Sequence, residues 1–225
     1  SRQKLALVSF AEKVREAHGE MIKEQYEEEY AKAIVSYLSL AFDRLTTRNS
    51  NVCVWHNGSE QTEKVFGLQA LPMQWSYPES NPLTHGNVTG FYGNVESILL
   101  VLSDVCKISF SSSATVTQFS ATSLPYPDNY FDAIFTDPPY YDNVAYADLS
   151  DFFYVWLKRT LGNLYPEILS TPLTPKSDEI IQDPGRSKDQ KFFEEHLTKS
   201  FQEIRRVLKP DGIVAIVYAH KSTKG

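Results

Sequence analysis

The chain has 225 residues, of which 42% are hydrophobic, 13% aromatic and 22% charged, with 10 glycines and a formal net charge of −6. That balance excludes collagen, a long coiled coil and wholesale disorder, each of which needs a more biased composition. The longest apolar stretches, such as Ile98–Leu102, fall far short of the roughly 18 residues that a membrane span requires, so no membrane partner is expected. The charge is unevenly spread. Residues 1–50 carry 8 basic and 8 acidic side chains, residues 51–150 carry 2 and 10, and residues 151–225 carry 12 and 10. An acidic middle argues against gripping a phosphate backbone by charge alone.

The opening Ser1-Arg2-Gln3-Lys4 leads into an amphipathic pattern rather than an apolar signal segment, and Cys53 and Cys106 form no C-x-x-C pair. A reducing, cytoplasmic setting is expected, and no metal site. The five histidines show no ligand spacing. With no initiator methionine and a strand-like run just before the last residues, the sequence reads as a fragment of something longer.

Taken in chain order, residues 3–18 and 24–46 have helical periodicity. In the second, Tyr26, Tyr30, Ile34, Tyr37, Ala41 and Leu45 recur at spacings of three and four and predict the buried face. Val52–Trp55 reads as a short strand, and Pro72–Gly93, with its prolines, glycines and asparagines, as mostly loop. Residues 1–93 are therefore expected to be a helical and irregular N-terminal region. From residue 94 the rhythm changes to alternating helix and strand: a helix over Val95–Val105, strands over Thr115–Phe119 and Asp132–Thr136, and an aromatic-rich helix over Ala147–Leu161. Gly162–Ser187 reads as a long loop and a candidate for mobility. A strongly amphipathic helix over Lys191–Leu208 is expected to stop at Lys209-Pro210-Asp211-Gly212, followed by a buried strand over Ile213–Tyr218. Phe152, Phe153, Tyr154 and Trp156 share one helix and are expected to be core; Tyr146 and Asp148, nearer its start, are candidates for lining a pocket.

The chemistry is concentrated at Asp137-Pro138-Pro139-Tyr140. A predicted strand runs straight into this tetrapeptide, and two prolines cannot continue a central ladder. The strand must end there, which puts Asp137 and Tyr140 at the carboxyl end of a parallel strand, where open α/β sheets bind ligands. A carboxylate and a carbonyl on a proline-stiffened backbone offer two acceptors, which suits an exocyclic amino group with two N–H donors. Tyr140 offers a flat face for a base lifted from its stack. Single Asp-Pro or Pro-Tyr pairs usually mean only a turn. The whole tetrapeptide is expected by chance on the order of once in a thousand chains of this length.

Asp137-Pro138-Pro139-Tyr140 resembles the catalytic motif of the amino-methyltransferases that use S-adenosylmethionine to methylate adenine N6 in DNA. The lead-in LPYPDNYFDAIFT and the closing FQEIRRVLKPDGIVAIVYAHK resemble the later strands and helix of that methyltransferase core. The stretches TDPPYYDNVAYADLSDFFYVWLKR and ALPMQWSYPESNP are similar to one branch, the large adenine-specific DNA methylases with an N-terminal DUF1156 region and often a zinc ribbon; the likeness covers most of residues 25–225. It implies an α/β fold with a Rossmann-like S-adenosylmethionine-dependent core over residues 94–225 and DNA as the partner. By the same likeness Asp137 and the Pro138 carbonyl hold the target amino group, with Pro139 completing the rigid turn. Tyr140 stacks on the base, Tyr141, Asp142 and Asn143 continue the family's loop and shape its pocket, and Ser120, with Asp137, contacts the cofactor where many relatives have an acidic residue; Tyr146 stays a candidate for the same pocket by its position. The family's glycine-rich cofactor loop is not found in residues 1–225, and the resemblance places it upstream, in a remainder of the parent chain. A methyltransferase acting on RNA or on a protein glutamine, and a non-catalytic nucleic-acid-binding scaffold, are the competing expectations.

Overall fold

A computed structural model describes residues 2–66, 73–108, 114–142 and 144–218. Among them the order of elements is α1 (Arg2–Lys23), α2 (Glu28–Thr46), β1 (Val54–His56), β2 (Gln61–Glu63), α3 (Phe91–Val105), β3 (Phe131–Thr136), α4 (Tyr146–Leu161), the single turn α5 (Pro166–Leu169), α6 (Gln190–Val207) and β4 (Leu208–Ile216). The chain is thus mixed helix and sheet, as an α/β fold requires, but each of its two sheets has only two strands among the described residues. It divides into two compact units, residues 1–111 with 149–174, and residues 112–148 with 175–225.

The first unit is a helical core. Its buried cluster joins Leu7, Ala11 and Val14 of α1, Val35, Phe42 and Leu45 of α2, Tyr154 and Leu161 of α4, and Leu169 of α5. Ala31, Val35, Phe42 and Leu45 are completely buried, and each of the three larger ones is worth about 1.5–3 kcal/mol of transfer free energy. Of the stripe that periodicity picks out on α2, Ala41 and Leu45 are completely buried but the tyrosines are not. Tyr26, Tyr30 and Tyr37 are exposed, and Tyr26 stacks on Tyr30 at 6.0 Å. Both faces of α2 have helical spacing. The one that carries Ala31, Val35 and Phe42 is buried. Trp156 meets Phe42 edge-on at 5.5 Å, and Phe66 packs against Phe152 and Phe153 at 5.2 and 5.3 Å, so the α4 aromatics do pack as expected. The β1–β2 hairpin is tied to the end of α2, where Val65 N donates to the Thr47 carbonyl at 2.9 Å and Arg48 Nη1 to the Thr62 carbonyl at 2.5 Å.

The second unit is organised by a strand pair. β3 and β4 run parallel, with Ala133 opposite Ile213 and Thr136 opposite Ile216. α6 stops at Val207, one residue from its expected end, but Lys209-Pro210-Asp211-Gly212 does not separate it from the strand. Instead it bulges within β4, so that Phe131 pairs Leu208 and Ala133 pairs Ile213. Pro210 can sit there because the bulge asks no ladder bond of it. Gly212 is needed there, because an added Cβ would lie 2.7 Å from Leu208 Cδ1 and 3.0 Å from the Asp132 carbonyl. Thr115–Phe119 forms no strand, and Val116 is 94% exposed. β-rich residues become a strand only with a neighbour to pair with. Nor is β4 buried. Phe135, Ile213 and Val217 share one face of the pair and are 80%, 68% and 62% exposed, although parallel sheets are ordinarily covered on both faces.

Candidate active site

The motif stands where β3 ends. Its lead-in is fixed by Arg206 of α6. The guanidinium donates to the carbonyls of Tyr126 (2.8 Å) and Leu124 (2.9 Å), and it pairs with Asp128 (2.9 Å) and Glu203 (2.7 Å). Glu203 Oε2 accepts in turn from Leu124 N at 2.8 Å. The Arg206 guanidinium and this amide hold the Glu203 carboxyl at about 2, well below its ordinary 4.5. Asn129 N and Tyr130 N then donate to the Arg206 and Val207 carbonyls at 2.9 and 2.7 Å, delivering the chain into β3.

After Thr136 the ladder makes one further bond, from Val217 N to the Thr136 carbonyl at 2.9 Å. Asp137 is exposed, and Pro138, Pro139 and Tyr140 are half-buried. The prolines carry no amide hydrogen, and the Pro138 carbonyl accepts no hydrogen bond among the described residues. Tyr140 N donates to Tyr146 Oη at 3.4 Å. The negative charge of Asp137, then burial, raises the Tyr140 phenol above its ordinary pKa. Burial, then Asp142, does the same for Tyr141. Edge-to-face contacts join Tyr140 to Tyr218 (5.8 Å) and Tyr141 to Phe193 (5.1 Å).

The segment after the motif is held by the loop expected to be mobile. Gln182 N donates to the Tyr141 carbonyl at 2.7 Å, and Glu179 Oε1 accepts from Ala147 N at 2.9 Å in the first turn of α4. Arg186 forks onto both carboxylate oxygens of Asp148 at 2.8 Å and also pairs with Asp183. Lys188, only 4% exposed, donates to the carbonyls of Lys176 and Glu179 (the latter at 2.7 Å) and lies over the Phe192 ring. Composition makes Gly162–Ser187 look like a loose loop, whereas Glu179, Gln182 and Arg186 tie it to the segment after the motif.

The structure brings Asp137, Pro138, Pro139, Tyr140, Tyr141 and Tyr146 together within the second unit. Asn143 lies outside the described residues. Ser120 belongs to the same unit but sits in a local turn, where its Oγ lies 2.8 Å from Thr122 Oγ1 and accepts from Thr122 N at 3.3 Å. Asp148, a pocket candidate, is engaged by Arg186. Sequence reasoning missed Tyr218, Arg206, Glu179 and Gln182; the signal for Tyr218 was its register, two residues beyond Ile216 on the strand paired with the motif's own. No lysine or arginine occurs between Lys107 and Lys158.

Compared with known proteins, the chain matches no family model, no curated protein and no solved structure. Among the described residues no helix is long and apolar enough to cross a membrane.

Proposed function

We propose that the chain carries the base-binding half of a Rossmann-like methyltransferase core that transfers a methyl group from S-adenosylmethionine to the N6 amino group of adenine in DNA. One observation carries the reading. A parallel strand ends in Asp137-Pro138-Pro139-Tyr140, with the Asp137 carboxylate exposed and the Pro138 carbonyl unpaired among the described residues. Two acceptors beside an aromatic ring match an exocyclic amino group on a flipped purine.

When bound, S-adenosylmethionine supplies an electrophilic methyl group on a sulfonium; Asp137, and Ser120 through its hydroxyl, are the residues of this chain assigned to hold it. The chain's remaining work is alignment. Asp137 accepts one N–H of the target amino group and the Pro138 carbonyl accepts the other, which turns the nitrogen lone pair away from the ring and towards the incoming carbon. Tyr140 supports the base face, with Tyr141 and Tyr146 near it; Asn143 is the further residue proposed for the pocket. Once methylated, the nitrogen is positively charged and sheds a proton readily to water, so no strong base is needed.

The substrate class is tested by offering the intact protein radiolabelled S-adenosylmethionine with unmethylated DNA, RNA or cell protein. Label is expected in DNA as N6-methyladenine. Label in RNA or in protein glutamine would move the reading to those substrates, and no label in any of them would favour a scaffold.

A further inference from the structure

We propose that Tyr218 is a positioning residue for the motif, holding the ring of Tyr140 so that one face stays open to a stacked base; this rests on the methyl-transfer reading above. β4 continues to pair just past its end, because Val217 N bonds the Thr136 carbonyl at 2.9 Å. With Thr136 opposite Ile216, the parallel register brings Tyr218 level with the start of the motif. The two rings meet at 5.8 Å and 88°. In such a T arrangement at most one face of Tyr140 is covered, whichever ring supplies the edge.

Among the described residues, the other groups acting on Tyr140 are Asp137 and Tyr146, both on its own side of the sheet end. The prolines before it cannot donate to β4, so the backbone leaves the sheet unanchored at positions 138 and 139. Its own amide donates to Tyr146 Oη at 3.4 Å, beyond the usual range for a strong N–H···O bond. A T-shaped aromatic pair is worth a factor of about two to ten in an equilibrium constant, more than so long a hydrogen bond contributes.

The test uses the intact protein and the rate of N6-methyladenine formation. Tyr218→Ala is expected to lower kcat/KM for DNA about two- to tenfold and leave the KM for S-adenosylmethionine unchanged. Tyr218→Phe, which keeps the ring, is expected to behave as wild type. In a Tyr140→Ala background, Tyr218→Ala should cost nothing further, because it acts through Tyr140. A wild-type rate for Tyr218→Ala, an equal loss in the Tyr140→Ala background, or equal damage from Tyr218→Phe would each overturn the proposal.

A second readout separates it from the function itself. With 3-fluorotyrosine incorporated, the ¹⁹F resonance of Tyr140, identified by its loss in Tyr140→Phe, should move in Tyr218→Ala while the other resonances stay. If it stays in place, the proposal fails even if the protein methylates adenine. If it moves and the protein methylates nothing, the function is wrong and the hold of Tyr218 on Tyr140 stands.

Discussion

The two compact units are stabilised by different means. The helical unit contains the whole buried apolar cluster, from Leu7 to Leu169. The unit that carries the motif buries few large apolar side chains, among them Phe193 and Val207, and leaves Phe135, Ile213 and Val217 in solvent. In the cluster's place it has charged residues with several partners each: Arg206 on four groups, Arg186 on two carboxylates, Lys188 on two carbonyls. Apolar contacts give stability without direction, whereas a guanidinium fork fixes distances and angles. The contrast shows how a segment with so small a core can still present a defined turn.

That contrast can be broken experimentally, and the largest effect belongs in the helical unit. Phe42→Ala is expected to cost about 3–5 kcal/mol, read by denaturant unfolding, because the ring is completely buried and the cavity cannot refill. Asp43→Asn comes next. Burial raises the Asp43 carboxyl from its ordinary 3.8 to about 8, and its Oδ1 has no partner among the described residues. The folded chain therefore keeps a proton that the unfolded chain gives up above 3.8. Stability falls as pH rises from 3.8 towards 8 and levels off beyond. The asparagine variant lacks that slope. It should be more stable than wild type at pH 8 by on the order of a few kcal/mol, with the gap closing near pH 4.

Glu203→Gln probes the polar unit, and its sign is opposite. The folded carboxyl sits at about 2 against an ordinary 4.5, so its contribution is complete above 4.5 and is lost as pH falls towards 2. The variant should show a shallower acid transition, and at neutral pH faster hydrogen exchange at Leu124, Asn129 and Tyr130. Smallest of all is Phe135→Ser, which should change stability by no more than about 0.5 kcal/mol because the ring is 80% exposed. A cost near that of Phe42→Ala would mean that the face is covered in solution and would erase the contrast between the units.

How much was legible in the sequence follows the same division. Local signals sufficed for α1, α3, α4, α6 and β3, because periodicity and proline punctuation are properties of neighbours in the chain. The buried face of α2 was read only in part, Ala41 and Leu45 correctly and the tyrosines not, since two faces had helical spacing and only packing chose between them. The end of α6 was read to within one residue, but the bulge at Lys209–Gly212 was not, because Pro-Gly chemistry marks a stop and a bulge alike. Asp137-Pro138-Pro139-Tyr140 could be found because its chemistry is contiguous. Its supports, Arg206, Gln182 and Tyr218, lie about 40 to 80 residues away along the sequence, and no short-range pattern joins them to it.

The central claim is that Asp137 holds an amino group for methylation. The most direct measurement is N6-methyladenine, quantified by mass spectrometry of digested DNA after incubation with S-adenosylmethionine and either the intact protein or its Asp137→Ala variant. The expected result is N6-methyladenine from the wild type and a rate lower by about 10²–10³-fold in the variant. N6-methyladenine produced equally by both would contradict the account, and so would a wild-type protein that makes none.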